Sequence, residues 1–321
     1  MSAPTVSEAD VILPPPSALN PIPVLSAALR LDNQEQLLEL LQSNPAAVTL
    51  SPNGDFRQLL VFGSASLRTL LLRQVLQDPH TRQFKGKQTK KNWDSFNSFQ
   101  YPRSIANSVV GTRLLEQSDQ VDDSSQHIDV VTYFLRPWDI AHTEAVARKV
   151  RNFRKKVHHR LVYIPQQTAL ISQLLQDLGL ATAPNVSIIS LQLDLFPIET
   201  DVYSLEYENA SKDDGVEGTP STVVTACARA LMKLQDITGT IPRIQSIGKL
   251  SEQVLDRFLN QVVDEYLTSP EREQVEDAPV PLPDGNTAMI FIDRKVDMVT
   301  PMVTPLTYEG LLDEVVGIDC G

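Results

Sequence analysis

The chain has 321 residues, 42% of them hydrophobic, and a formal net charge of −12. That length suits about two domains, and the apolar fraction suits packed cores rather than global disorder. A strongly acidic whole repels phosphate backbones, which argues against general nucleic-acid binding.

Two cysteines, Cys227 and Cys320, support neither a disulfide framework nor a cysteine metal site, and fit a reducing cytosolic compartment. The segment Met1 to Asn20 has no Lys or Arg and carries Pro14-Pro15-Pro16, so it reads as neither a signal nor a transit peptide. The longest apolar stretch, Leu59 to Leu72, is interrupted by Gly63, serines and Arg68. It falls short of the roughly 20 residues that span a bilayer. A soluble protein is expected.

In chain order, Val24 to Leu41 reads as a helix with Leu37, Leu38, Leu40 and Leu41 clustered before the stop Ser43-Asn44-Pro45. Leu59 to Phe62 is a candidate strand. Residues 80–104 are polar, Lys-rich and Gln/Asn-rich, which predicts a surface insertion. Val130 to Leu135 is a nearly continuous apolar run, as a strand covered on both faces requires, and Pro137 closes it.

Thr143 is a candidate N-cap for a helix bearing Val146, Val150, Phe153 and Val157. This helix is expected to run on through a basic stretch to Arg160, with His158-His159 near its end. Leu161 to Ile164 is the next strand. The following helix carries Leu170, Ile171, Leu174, Leu175 and Leu178, with Gly179 as its left-handed cap. Val186 to Leu193 is a third strand in this series. Strands and helices that alternate with short joints predict parallel right-handed crossovers, hence an α/β fold.

A polar break from Asn209 to Pro220 precedes two more helices. Val223 to Ile237 places Val223, Cys227, Ala230, Leu231 and Leu234 on one face, with Gly239 at its end. Ser251 to Leu267 has Ser251 as expected N-cap and Val254, Leu255, Phe258, Leu259, Val262 and Tyr266 as its stripe. The turn Asp284-Gly285-Asn286 launches Met289 to Ile292, expected to be a buried strand. That run ends in Asp293-Arg294-Lys295-Val296-Asp297, then Thr300-Pro301, then an amphipathic helix from Thr307 onward.

Paired acids at a strand end, Asp293 and Asp297, invite a metal or acid/base reading. Against it, a cation such as Arg294 can pair with them and fix the turn, because half-buried charge needs partners. His158 and His159 are adjacent, which on a helix is poor chelating geometry. Arg148, Arg151, Lys155 and Lys156 form a candidate patch for acidic partners or anionic lipid headgroups; a solvated helix face explains them equally. Lys85, Lys87, Lys90 and Lys91 lie among Trp93, Phe96, Phe99 and Tyr101, a mixture that nucleic-acid loops share with ordinary insertions. No phosphate-binding glycine motif and no nucleophile elbow appears; Gly63-Ser64-Ala65-Ser66 only echoes the latter. No cofactor is implied.

Ile292-Asp293-Arg294, Asp297, Thr300-Pro301 and Leu306-Thr307-Tyr308-Glu309-Gly310-Leu311 resemble the signature of the SM family, the Sec/Munc-type regulators of SNARE assembly. Tyr308 to Leu311 with Asp313-Glu314 is similar to the class C vacuolar protein-sorting branch, the SM subunit of the HOPS and CORVET tethering complexes. Tyr133 to Pro137, Leu161 to Pro165, Leu193 to Ile198, Gly239 to Pro242 and Gly248 resemble it too.

The resemblance implies a parallel sheet flanked by helices, followed by an incomplete second α/β domain. Expected boundaries are a flexible segment 1–20, a first α/β domain 21–198 with insertion 80–104, part of a second domain 199–301, and the start of a truncated third domain 302–321. It implies a non-enzymatic regulator of vesicle tethering and membrane fusion in endosome-to-vacuole or lysosome transport. Its implied partners are SNARE proteins and class C subunits, including a β-propeller-bearing sister subunit. The implied location is cytoplasmic, peripheral on late endosome and vacuole or lysosome membranes. Asp293, Arg294, Asp297, Thr300, Pro301, Thr307, Tyr308, Glu309 and Gly310 would then be architectural. The rival expectation is a metal-dependent α/β hydrolase or transferase using Asp293 and Asp297.

Overall fold

A computed structural model of the chain describes residues 21–43, 56–75, 105, 108–116, 128–153, 157–199, 201–207, 222–238, 243–268 and 288–317. The chain divides into two compact units. One comprises Arg30–Ile198 with Pro305–Gly321, the other Met1–Leu29 with Glu199–Thr304.

The larger unit is built on five strands: β1 (Gln58–Phe62), β2 (Val109–Leu114), β3 (Val130–Leu135), β4 (His158–Tyr163) and β5 (Val186–Ser190). They pair in the order β2-β1-β3-β4-β5, and every pairing is parallel. All residues of β1, β3 and β4 are buried, because helices cover both faces, as parallel sheets demand. On one face α1 (Pro21–Gln42) contributes Leu37 and Leu41 to a core with Leu60, Phe62, Phe134 and Val162. Phe62 and Phe134 stack there with ring centroids 5.1 Å apart. On the other face α3 (Ile140–Asn152) and α4 (Ala169–Asp177) bring Val146, Ala147, Ile171 and Leu175 against Val61, Val131, Tyr133 and Leu161. A short α2 (Ala65–Thr69) follows β1, with Ser64 accepting from the Leu67 amide as its cap.

Several details of the larger unit differ from the sequence expectations. The cap of α3 is Asp139, whose carboxylate accepts from the His142 amide and also meets His142 Nδ1 at 2.8 Å. Thr143 instead lies buried in the helix, its hydroxyl 3.1 Å from the Tyr163 hydroxyl. The basic helix does not reach Arg160: α3 stops at Asn152, and His158-His159-Arg160 opens β4. Central strands outrank helical periodicity here because a fully buried strand admits an unbroken run. β2 was not anticipated, its Gly111 and Arg113 having masked the pattern.

The buried Arg160 explains how a charge enters a strand. Its Nη1 donates to Leu40 O at 2.6 Å and its Nη2 to Ser43 O at 2.5 Å. Gln58 Nε2 donates to Leu41 O at 2.8 Å. The last carbonyls of α1, which have no partners inside the helix, are therefore met by side chains rising from the sheet, and the cation suits the negative end of the helix dipole. Burial still pulls the Arg160 pKa down, to about 10.

The smaller unit holds α5 (Thr222–Thr238), β6 (Arg243–Ile247), α6 (Lys249–Thr268) and β7 (Ala288–Ile292). β6 and β7 pair in parallel. Ala228 and Met232 of α5 meet Phe258 and Leu255 of α6 and Ile244 of β6. α6 begins at Lys249, so Ser251 is a buried residue of its first turn and not its cap. The segments 1–20 and 80–104, Gly239, and the turn 284–286 lie outside the described residues.

Replacing Arg160 by Ala removes the side-chain donor of the Ser43 carbonyl and one of the two donors of the Leu40 carbonyl, which the Ser43 hydroxyl also meets at 2.7 Å, and is expected to lower unfolding stability by about 2 kcal/mol. Urea denaturation checks it; a loss within experimental error would remove Arg160 from the fold's essential contacts.

Candidate functional site

The signature segment begins at the end of β7. This strand is not buried as expected: Ile290 and Ile292 are exposed while Met289 and Phe291 are half-buried, and among the described residues α5 and α6 pack on the sheet face that carries Ile244. Asp293, only 8% exposed, turns back toward β6. Its amide donates to Ile247 O at 2.9 Å, extending the ladder by one bond. Its carboxylate accepts from two main-chain amides, Leu250 at 3.2 Å and Lys295 at 2.9 Å. Leu250 is in the first turn of α6, so Asp293 supplies from a distant strand the acceptor that a local N-cap would give. A negative charge there also suits the helix N-terminus.

Gly248 makes room for this. It joins β6 to α6 with φ +106, a region that favours glycine. A Cβ at this position would collide with Cβ of Asp293 and lie 3.0 Å from Val296 Cγ2.

Asp297 closes the next turn. Its carboxylate accepts from the Val299 amide at 2.9 Å, the Thr300 amide at 3.1 Å and the Thr300 hydroxyl. These bonds, the hydroxyl foremost, hold its pKa below the usual carboxylate value. Thr300 and Pro301 form the first two positions of a 3₁₀ turn, Thr300–Met302. Arg294 is exposed, and among the described residues it pairs with neither acid. The expected arginine partner is thus replaced by backbone N–H groups.

Thr307 caps α7 (Tyr308–Val316), its hydroxyl accepting from the Gly310 amide at 3.1 Å. A side chain on Gly310 would meet the Pro305 ring at 2.6 Å and Thr307 Oγ1 at 2.9 Å. Glu309 lies in the first turn, where an acid suits the dipole, and Tyr308 is exposed.

Elsewhere, Arg148 and Arg151 are exposed on α3, and Arg151 donates to Leu178 O at 2.5 Å, close to the end of α4. Lys155 and Lys156 lie outside the described residues, as do Lys85 to Tyr101. His159 is fully buried between Tyr133 and Phe153. Burial first, and the neighbouring His158 second, push its pKa down to about 4. His158 contacts Ser187 Oγ at 3.0 Å. Among the described residues no group of three or more His, Cys, Asp or Glu is arranged to hold a metal ion, and no helix is long and apolar enough to cross a membrane.

In this geometry the carboxylates of Asp293 and Asp297 are met by main-chain amides and, at Asp297, by the Thr300 hydroxyl. The model of the Sec1 family matches residues 103–320, and the chain belongs to that family, the SM proteins. It is 34% identical over 158 residues to vacuolar protein sorting-associated protein 33A of Rattus norvegicus, a match covering 49% of this chain and 24% of that protein. It is 31% identical over 194 residues to the vacuolar protein-sorting-associated protein 33 homolog of Arabidopsis thaliana, covering 60% and 31%. The SM protein Vps45, solved in complex with the Qa SNARE Tlg2, shares the fold with TM-score 0.52 at 13% identity over 91% of this chain and 44% of that one. The chain thus spans less than a third of the length of these curated relatives.

Two outcomes follow from the geometry. Gly248→Ala is expected to destabilise by about 2 kcal/mol or more, and Asp293→Ala by about 1 to 2 kcal/mol, both read from thermal unfolding. Equal stability of either variant and the parent would dissolve the corner as a structural joint. For His159 the folded pKa lies below the ordinary 6.5, so the unfolded chain binds the extra proton first. Stability is full above pH 6.5 and falls as pH drops toward 4, by up to about 1.4 kcal/mol per pH unit. His159→Leu should flatten that slope in urea titrations at pH 7, 6 and 5; an unchanged slope would assign it to other groups.

Proposed function

We propose that the protein is a non-enzymatic, SNARE-binding regulator of vesicle tethering and membrane fusion. It acts on the endosome-to-vacuole or lysosome route within a class C tethering complex of the HOPS or CORVET type. The observation that carries this reading is the family match over residues 103–320, supported by relatives named for vacuolar protein sorting. The SM protein Vps45 has been seen with a Qa SNARE, which supports SNAREs as partners here. The further partners are class C subunits, one of them β-propeller-bearing. The protein is cytoplasmic and reaches late endosome and vacuole or lysosome membranes through them.

The physical task is entropic. Disordered SNARE segments lose backbone and side-chain freedom when they fold together. A rigid surface that orders one or two of them beforehand reduces that cost at the moment of assembly. In this reading residues 21–198 are the first domain, 199–301 contribute to the second and 302–321 open the third. Asp293, Arg294, Asp297, Thr300, Pro301, Thr307, Tyr308, Glu309 and Gly310 are scaffold. The metal-dependent hydrolase alternative is disfavoured, because the carboxylates of Asp293 and Asp297 are already occupied by amide and hydroxyl donors.

A pulldown from cell extract with this chain extended as in its longer relatives should recover endosomal or vacuolar SNAREs and class C subunits. Recovery of neither contradicts the proposal. With Mg²⁺ or Mn²⁺ the melting temperature should stay constant in the parent and in Asp297→Ala; a metal-induced rise that Asp297→Ala abolishes would instead support the hydrolase.

A further inference from the structure

Strand β4 opens with three basic residues in a row, His158-His159-Arg160, and all three are buried. Successive side chains of a strand point to opposite faces. Arg160 turns toward the end of α1, and His159 turns toward α3. There its ring lies 6.0 Å from the Tyr133 ring and meets Phe153 edge-on at 5.3 Å. Tyr133 belongs to β3, and Phe153 is the residue on which α3 ends. The imidazole thus plugs the joint between a helix end and two strands. Its Nδ1 is 3.4 Å from the Tyr133 hydroxyl, and its Nε2 is buried with no hydrogen-bond partner among the described residues. His158 meets Ser187 Oγ through Nε2, and its Nδ1 is likewise buried and unmet.

Neutral rings fit this joint and imidazolium ions do not. An imidazolium donates from both nitrogens, and His159 has only the Tyr133 hydroxyl within reach. The surrounding elements offer no counter-charge. β3 sets Val131 beside it and brings Tyr133, whose phenol burial keeps protonated. β5 brings Val186 beside His159 and Ser187 to His158. α4 meets this face with Ile171 and Leu175. The charged residues in the last turn of α3, Lys149 and Arg151, are cations. Asp129, whose carbonyl receives the His158 amide at 3.0 Å, directs its carboxylate to the Arg57 amide at 2.9 Å. On the α1 side Glu39 is exposed to water. The charges that act on the two rings are those of His158 and Arg160, both of one sign.

We propose that His159 is an acid-sensitive latch. While neutral it holds the end of α3 and the start of β4 together, and its protonation opens this joint locally while the rest of the larger unit stays folded. The opening is local because the joint lies at a helix end and its outer wall, Phe153, is only half-buried; such places open at less cost than a sheet centre. Once open, the ring meets water and takes its proton at the ordinary value near 6.5. The closed joint resists that proton down to about 4. Between those limits the open population rises by about tenfold for each pH unit of acidification. Above pH 6.5 the joint stays shut. The latch does not rest on the SNARE reading, since it concerns one side chain and one proton.

Amide hydrogen exchange on the full chain at pH 7, 6 and 5 tests the latch. Each rate is divided by the intrinsic rate at that pH, so that protection factors are compared. Protection at residues 149–153 and 158–160 should fall about tenfold between pH 6 and 5, while Leu59, Leu60 and Val61 of β1 keep theirs. His159→Phe retains a ring against Tyr133 and Phe153 and should abolish the fall. Should that variant fail to fold, His159→Gln takes its place with the same expectation, because its amide titrates in neither state. His158→Gln should leave most of the fall intact. Constant protection at the joint overturns the proposal, as does a fall that survives replacement of His159 or one that only His158→Gln removes. A loss spread evenly over all five strands also overturns it, because the proton would then be unfolding the whole unit.

Discussion

The carboxylate of Asp293 reaches across 43 residues of sequence to the Leu250 amide and at the same time holds the Lys295 amide of its own turn. One side chain thereby fixes where β7 ends, where α6 begins and how the chain leaves the sheet. The arrangement needs a residue without a Cβ opposite it, and Gly248 meets that need. It also needs an acid held out of bulk water, whose desolvation is offset only by well-placed donors. Main-chain amides meet that requirement without the rotamer entropy of a lysine or arginine partner.

The larger unit solves a related problem with the opposite sign. There the orphan groups are carbonyls at the end of α1, and the answer is a buried guanidinium from the centre of a strand with a glutamine from its neighbour but one. In both units a helix end is satisfied by a side chain remote in sequence. That ties the order of strands to the placement of helices, so a sheet with slipped register would lose its caps as well as its packing.

Much of this was legible in the chain, and what was not has physical causes. The apolar run Val130 to Leu135 announced a covered strand, and Gly179, with φ +68, ends α4 as its left-handed cap. His158-His159-Arg160 misled because three polar residues that follow a basic stretch look like the solvated end of that helix. Only tertiary partners, Ser187, Tyr133 and the end of α1, make them tolerable inside a sheet. The bond from Asp293 to Leu250 was invisible for the same reason: local pattern carries no record of a cap 43 residues away. The signature itself, Asp293 to Gly310, could be read as a family mark before its geometry could be understood.

The central claim is that Asp293 spends its charge on the protein's own backbone. Amide hydrogen exchange resolved at Leu250 and Lys295 tests it most directly, comparing the parent with Asp293→Asn and Asp293→Ala. The account predicts a selective loss of protection at these two amides, partial in the Asn variant and full in the Ala variant. Unchanged protection at both amides in the Ala variant would contradict it.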